Sequence, residues 1–247
     1  MLCADLASAL RDMGYHATVV DRLFNGSTKF DWQLDSVRSS SVLRVADEIE
    51  ILHRDIAGVL VMGPLLACRE AAASDGSSYF NAESNAAFLG WIWSLPCRVI
   101  NRYHPEFWFA RPASTYFWRN RLASFDLQTT DLTEPVPNRS SWDGTTRRQG
   151  HLAAVIGPRV VWDEGASEGA QGATDALARF TASLGLEYLE FRLDDSTGKP
   201  CITEIELFPK YVGFSPSRRQ QIINELVVLL ASARRDPPLR TAADSWF

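Results

Sequence analysis

The stretch Gly185–Phe214, GLEYLEFRLDDSTGKPCITEIELFPKYVGF, constrains the fold more than any other part of the chain. Two strand-like runs, Glu187–Leu193 and Pro200–Leu207, flank a polar turn over 194–198, which is the pattern of a β-hairpin. Side chains two apart on a strand share a face. Glu204 and Glu206 therefore project together, about 7 Å apart along the chain. Like charges on one face repel unless water, a cation or a basic group stands opposite. Paired carboxylates of this kind serve as oxygen ligands for divalent cations, and an exposed sheet edge tolerates the same pair.

The length, 247 residues, suits one two-lobed domain or two small ones, and a hydrophobic content of 46% supplies a core. The net charge is −5 and the basic residues form no stripe, so no nucleic-acid partner is expected. No apolar run reaches the roughly 18 residues of a membrane span, and none is expected. The N-terminus lacks a basic leader with an apolar core, which points to a cytoplasmic protein. Cys3, Cys68, Cys97 and Cys201 are widely spaced and read as free thiols, not as a zinc or redox motif. Lysine is scarce: Lys29, Lys199 and Lys210 are the only three.

Residues 4–13 have helical period and stop at Gly14. Ala17–Asp21 reads as a short strand, Val42–Leu52 as a helix, and the apolar run Ala57–Met62 as a buried strand. Asn81–Ser94 reads as a second helix and Arg98–Ile100 as another strand, ending at Asn101. Alternating strands and helices predict an open, mostly parallel α/β sheet. The chain begins inside a helix where a βαβ unit starts with a strand; that strand has been lost, or the start lies upstream of Met1. An aromatic-rich region follows, with Trp91, Trp93, Tyr103, Phe107, Trp108, Phe109, Tyr116, Phe117 and Trp118. Its side chains suit the junction between two lobes, or else an apolar pocket or interface. Residues 127–150 lack period and mark a boundary. Beyond it, His151–Ile156 and Arg159–Trp162 form a hairpin around Gly157-Pro158, and Thr174–Leu184 is amphipathic. Ser215-Pro216 then opens a long helix running to about Ala233. The expected organisation is an N-terminal lobe over 1–126, a connecting segment over 127–150, a C-terminal lobe over 151–236 and a tail over 237–247.

This order of elements resembles the ATP-grasp family, especially its peptide-modifying and carboxylate–amine ligase branches. DLASALRDMGYHATVVD and GWIWSLPCRVINR are similar to the family's N-terminal lobe, HLAAVIGPRVVW to the paired strands before its metal site, and GLEYLEFRL with GKPCITEIELFP to the strands that carry the site. The resemblance implies an α/β (α+β) protein with an open N-terminal α/β lobe and a C-terminal antiparallel-sheet-and-helix lobe. It also implies a reaction in which ATP phosphorylates a carboxylate and an amine displaces the phosphate, with metal ions neutralising the phosphates.

The chain departs from the family where that chemistry is carried. The family holds its metals with an acid on the first strand and Glu-x-Asn on the second. Here Arg192 stands at the first position, Glu204 fits the second, and Glu206 replaces the Asn. A guanidinium repels a divalent cation. Pro209 fits the pattern, while Lys210 replaces a small residue. The family's lysine-bearing central subdomain has only residues 127–150 to occupy, and they contain no Lys. Arg192 is expected to pair with Glu204 or Glu206 and fill the metal position with an internal ion pair. Glu204, Glu206 and Arg192 are the candidate catalytic residues. Arg147, Arg148, Lys210, Trp108 and His151 are the candidate substrate contacts.

The expectation is a degenerate ATP-grasp protein of a peptide or specialised-metabolite pathway. It would need no cofactor and would bind a peptide, a small-molecule acid or a partner biosynthetic enzyme, with a homodimer as a further state. One alternative is an active, small ATP-dependent carboxylate–amine ligase, with Mg²⁺ on Glu204 and Glu206 and with Arg147, Arg148 or Lys210 on the phosphates. The other is a nucleotide-independent enzyme using Glu204, Glu206, Asp194 and His151 as acid–base groups.

Overall fold

Every described strand of the C-terminal half pairs into one sheet, whose two faces decide what can form a site. The structure, a computed structural model of the chain, describes residues 2–20, 28–34, 39–45, 49–62, 75–102, 115–129, 150–195, 199–209, 211 and 213–232. The chain divides into two compact units. One comprises Met1–Thr18, Val61–Leu66 and Asn101–Leu229, and the other Val19–Leu60, Ala67–Ile100 and Leu230–Phe247.

In the second of these units, β1 (Thr28–Leu34), β2 (Ser39–Val45) and β3 (Ile49–Leu52) form an antiparallel sheet in that order. The helix expected over Val42–Leu52 is therefore corrected to parts of two strands. The apolar positions 42, 43, 45, 49, 51 and 52 satisfy either period over so short a run. Val42, Val45, Ile49 and Ile51 are β-branched and favour the pleated surface. Trp91 donates its indole N–H to Ser41 Oγ at 2.6 Å, and Ser41 Oγ lies 3.1 Å from His53 Nδ1. The same unit holds β4 (Gly58–Leu60) and β5 (Arg98–Ile100), a parallel pair joined by a crossover containing α2 (Asp75–Ser94). The mostly parallel sheet expected here is corrected: among the described strands of the unit only this pair is parallel, while β1, β2 and β3 pair antiparallel. Ala17–Val20 form no strand, and Asp21 lies outside the described residues.

The other unit opens with α1 (Leu2–Asp12), which buries Leu2, Leu6 and Ala7 along one stripe. Gly14, at φ 86°, ends it by donating to the Arg11 carbonyl at 2.8 Å. The rest of the unit comprises α3 (Thr115–Ala123), β6 (Gln128–Thr129), β7 (His151–Ile156), β8 (Arg159–Trp162), α4 (Glu168–Gln171), α5 (Thr174–Ser183), β9 (Tyr188–Asp194), β10 (Cys201–Glu206) and α6 (Pro216–Ala231) as far as Leu229. Both expected hairpins are present, and the five strands run in the order β6-β10-β9-β7-β8.

Alternation sorts this sheet into two faces. Leu189, Phe191 and Leu193 of β9, Ala153 and Val155 of β7, and Ile202 and Ile205 of β10 join one core with Trp118, Leu122, Leu177 and Phe180 from the helices. Ile202 and Ile205 are three apart yet share this face because the pairing shifts between Ile202 and Glu204, as a bulge requires. On the opposite face Leu152, Ala154 and Ile156 are buried as well. The aromatic-rich stretch divides between the units: Trp91 is buried in one and Trp118 in the other. Tyr103 and Phe107–Phe109 lie outside the described residues.

Candidate functional site

The second face of the β9–β10 hairpin collects the charged side chains. Glu204 lies opposite Arg192 and Glu206 opposite Glu190, so four ionisable groups stand side by side. Arg192 Nε donates to Glu204 Oε2 at 3.3 Å, with the two side chains 13% and 16% exposed. The carboxylate that received the guanidinium is thus Glu204, its cross-strand neighbour. The gross attraction of such a pair is about 4 kcal/mol at intermediate dielectric, from which desolvation subtracts.

Glu190 was not among the residues singled out from the sequence, yet it is the most buried acid in this group, at 2% exposed. One of its oxygens accepts from the Tyr188 hydroxyl and from the Tyr211 backbone N–H, both at 2.8 Å. Burial, followed by the adjacent Glu190, pushes the Tyr188 phenol well above its usual range. Tyr211 sits at φ 49°, a left-handed conformation that a bulky residue adopts only when its surroundings impose it. Its hydroxyl donates to Asp5 of α1, and Arg219 stacks 5.6 Å from its ring. Glu206 accepts from the Phe208 N–H at 3.2 Å. A signal for Glu190 existed: it lies two residues before Arg192, hence on the same face once the register is known.

His151 is elsewhere. Its cross-strand partner is Leu193, a core-facing residue, so the sheet separates His151 from Glu204 and Glu206. Its Nε2 lies 3.2 Å from Asp195 Oδ1, and Asp195 also accepts from the Ser167 hydroxyl. That hydroxyl, and then His151, hold the Asp195 carboxyl below its ordinary range. Ser167 in turn accepts from Ala170 N as the N-cap of α4. The carboxylate sits between the Ser and the His, so the histidine does not activate the hydroxyl, and the cluster is a clasp between two loops and a strand end. Asp194 ends β9 opposite Cys201, on the Arg192 side. Trp108, Arg147, Arg148 and Lys210 lie outside the described residues.

The metal–nucleotide chemistry implied by the fold can be tested against these side chains. A divalent cation takes several oxygen ligands. Here Glu204 is engaged by a cation of the chain's own, and one oxygen of Glu190 already takes two donors. Among the described residues no group of three or more His, Cys, Asp or Glu is arranged to hold a metal ion. Among the described residues, the carboxylates of this face are committed to partners within the chain, an arrangement that does not fit Mg²⁺.

No family model matches the sequence, and no curated protein does. Solved structures do match. The macrocyclase MdnC from Microcystis aeruginosa, bound with precursor peptide MdnA, superposes with a TM-score of 0.68 at 10% identity, over 94% of this chain and 96% of its own. The macrocyclase MdnB from the same organism gives 0.64 at 13% identity over 94% of both chains. A RiPP-associated ATP-grasp ligase from Chryseobacterium gregarium, solved with ADP and a leader and core peptide, gives 0.64 at 11% identity over 96% of both chains. At such identities the likeness is one of fold alone: the chain has the ATP-grasp fold of the Chryseobacterium gregarium ligase, and the two macrocyclases superpose on this chain over 94% of its length.

Proposed function

We propose that this chain is an ATP-grasp-fold protein of peptide biosynthesis that binds a peptide or acid substrate, or a partner enzyme, without nucleotide-driven ligation. The observation that carries this reading is the Arg192–Glu204 pair, 3.3 Å apart and largely shielded from water. A guanidinium at the metal position repels the cation that would neutralise a triphosphate. The burial of Glu190 beneath Tyr211 supports the same reading, because a second acid of the face is committed to hydrogen bonds within the protein. The peptide side of the proposal rests on the neighbours of this fold, which were solved with a precursor peptide or with leader and core peptides.

The test is phosphate release from ATP and Mg²⁺ with acidic peptides as acceptors. The expected outcome is no release above the protein-free rate. Release that disappears in Glu204→Gln would establish the active ligase instead.

A further inference from the structure

β8 is an outer strand of the five-stranded sheet. Asp163 N–H donates to the Leu152 carbonyl of β7. In an antiparallel pair, inward- and outward-facing backbone groups alternate. Val161 therefore faces β7, while the N–H and C=O groups of Val160 and Trp162 point away from it. Among the described residues no strand pairs with that side. A row of unpaired backbone donors and acceptors is a template for another strand.

The edge is neither flat nor bare. A groove of about 260 Å³ is lined by Val160–Trp162 of β8, by Asp163 and the loop after it, and by Arg218 and Gln221 of α6; the Asp163 carboxylate already accepts from the Ser215 N–H. Arg159 Nε lies 3.4 Å from Glu225 Oε2, tying the far end of β8 to the same helix. Val160 and Trp162 pack on the sheet core, and the Trp162 indole donates to Thr174 Oγ1 at 3.1 Å, so both side chains of the edge are anchored on the core side. An edge strand beside a helix is the arrangement that receives an extended peptide by strand addition.

Charge selects the occupant. Arg218 spends one Nη1 bond on Gln221 at 2.8 Å, leaving further guanidinium donors. Glu164, the acid that feels its charge, already accepts from Ser215 and Ser217. The geometry points to the β8 edge as a docking site for an extended peptide carrying an acidic residue, added as a sixth strand with its carboxylate against Arg218. This deepens the peptide-binding reading and rests on it.

The test pans a phage-displayed random heptapeptide library against the full chain and measures the enriched peptides by fluorescence anisotropy. The expected peptides alternate β-branched residues and carry an acid. Their affinity falls at least tenfold in Val160→Pro, which removes an outward N–H and no ladder bond, and at least tenfold in Arg218→Glu. Should Val160→Pro not fold, N-methylating alternate amides of a bound peptide asks the same question: one set abolishes binding and the other leaves it. Peptides that bind Val160→Pro as tightly as wild type, or that tolerate both methylation sets, overturn the edge site and leave peptide binding standing. A library that yields no binder overturns both. A dimer in sedimentation that Val160→Pro dissolves assigns the edge to a second copy and overturns the proposal.

Discussion

Asn101 holds the backbone of Tyr188 as a neighbouring strand would: its Nδ2 donates to the Tyr188 carbonyl at 2.7 Å, and its Oδ1 accepts from the Tyr188 N–H at 2.9 Å. The same oxygen takes the Glu187 N–H at 3.1 Å. Asn101 is 1% exposed and sits at φ 55°, where Asn is one of the few tolerated residues. It therefore fixes the start of the strand that carries Glu190 and Arg192.

Replacing Asn101 should destabilise the unit without touching the charged face. Asn101→Ala strands buried backbone groups and should cost about 3 kcal/mol in urea unfolding. Asn101→Gly loses the same bonds but relieves the left-handed backbone, and should be about 1 kcal/mol better than Ala. Equal losses would mean that the backbone conformation contributes nothing.

The Arg192–Glu204 pair should behave as a coupled unit. Arg192→Met or Glu204→Leu alone removes one partner of a largely buried ion pair and should cost about 3 kcal/mol. The double variant should recover most of that loss. Additive losses in the double-mutant cycle would show that the two side chains do not depend on each other.

Much of the C-terminal unit was legible because its signals are local. The two hairpins have period-2 runs around turn residues, and Ser215-Pro216 marks the start of α6. The strands within Val42–Leu52 were missed because their apolar spacing also fits a helix, and only pairing with β1 decides between the two. Of the strand expected over Ala17–Asp21, Ala17–Val20 have suitable residues, but no described strand pairs with them, and propensity alone forms no strand. Glu190 was missed because its place opposite Glu206 follows from register, which no single strand encodes. The clasp of Ser167, Asp195 and His151 joins residues up to 44 positions apart, beyond any local pattern.

Acid should weaken the other unit through His53. Burial lowers its pKa from the ordinary value near 6.5, against a smaller opposing hydrogen bond with the Ser94 backbone. The folded state therefore favours the neutral ring, and the unfolded chain takes up its proton first as pH falls. Stability should drop as pH falls through about 6.5 and level off below the folded pKa. His53→Gln should flatten that part of the profile in urea titrations at several pH values. Asp195, also held low, acts in a separate window: its contribution is present above the ordinary carboxylate range and is lost below it.

Gly150 has a stricter requirement. It sits at φ 142°, and a Cβ there would come 2.6 Å from the Leu193 carbonyl oxygen. Gly150→Ala should lower the thermal midpoint by several degrees, from a loss of about 1–3 kcal/mol. An unchanged midpoint would show that the entry to β7 can shift.

The central claim is that an internal guanidinium has taken the place of a metal ion. Isothermal titration of ATP with Mg²⁺ into the wild-type chain tests it most directly. The prediction is no binding heat at micromolar nucleotide, with or without Mg²⁺. A micromolar, Mg²⁺-dependent isotherm that vanishes in Glu204→Gln would contradict it.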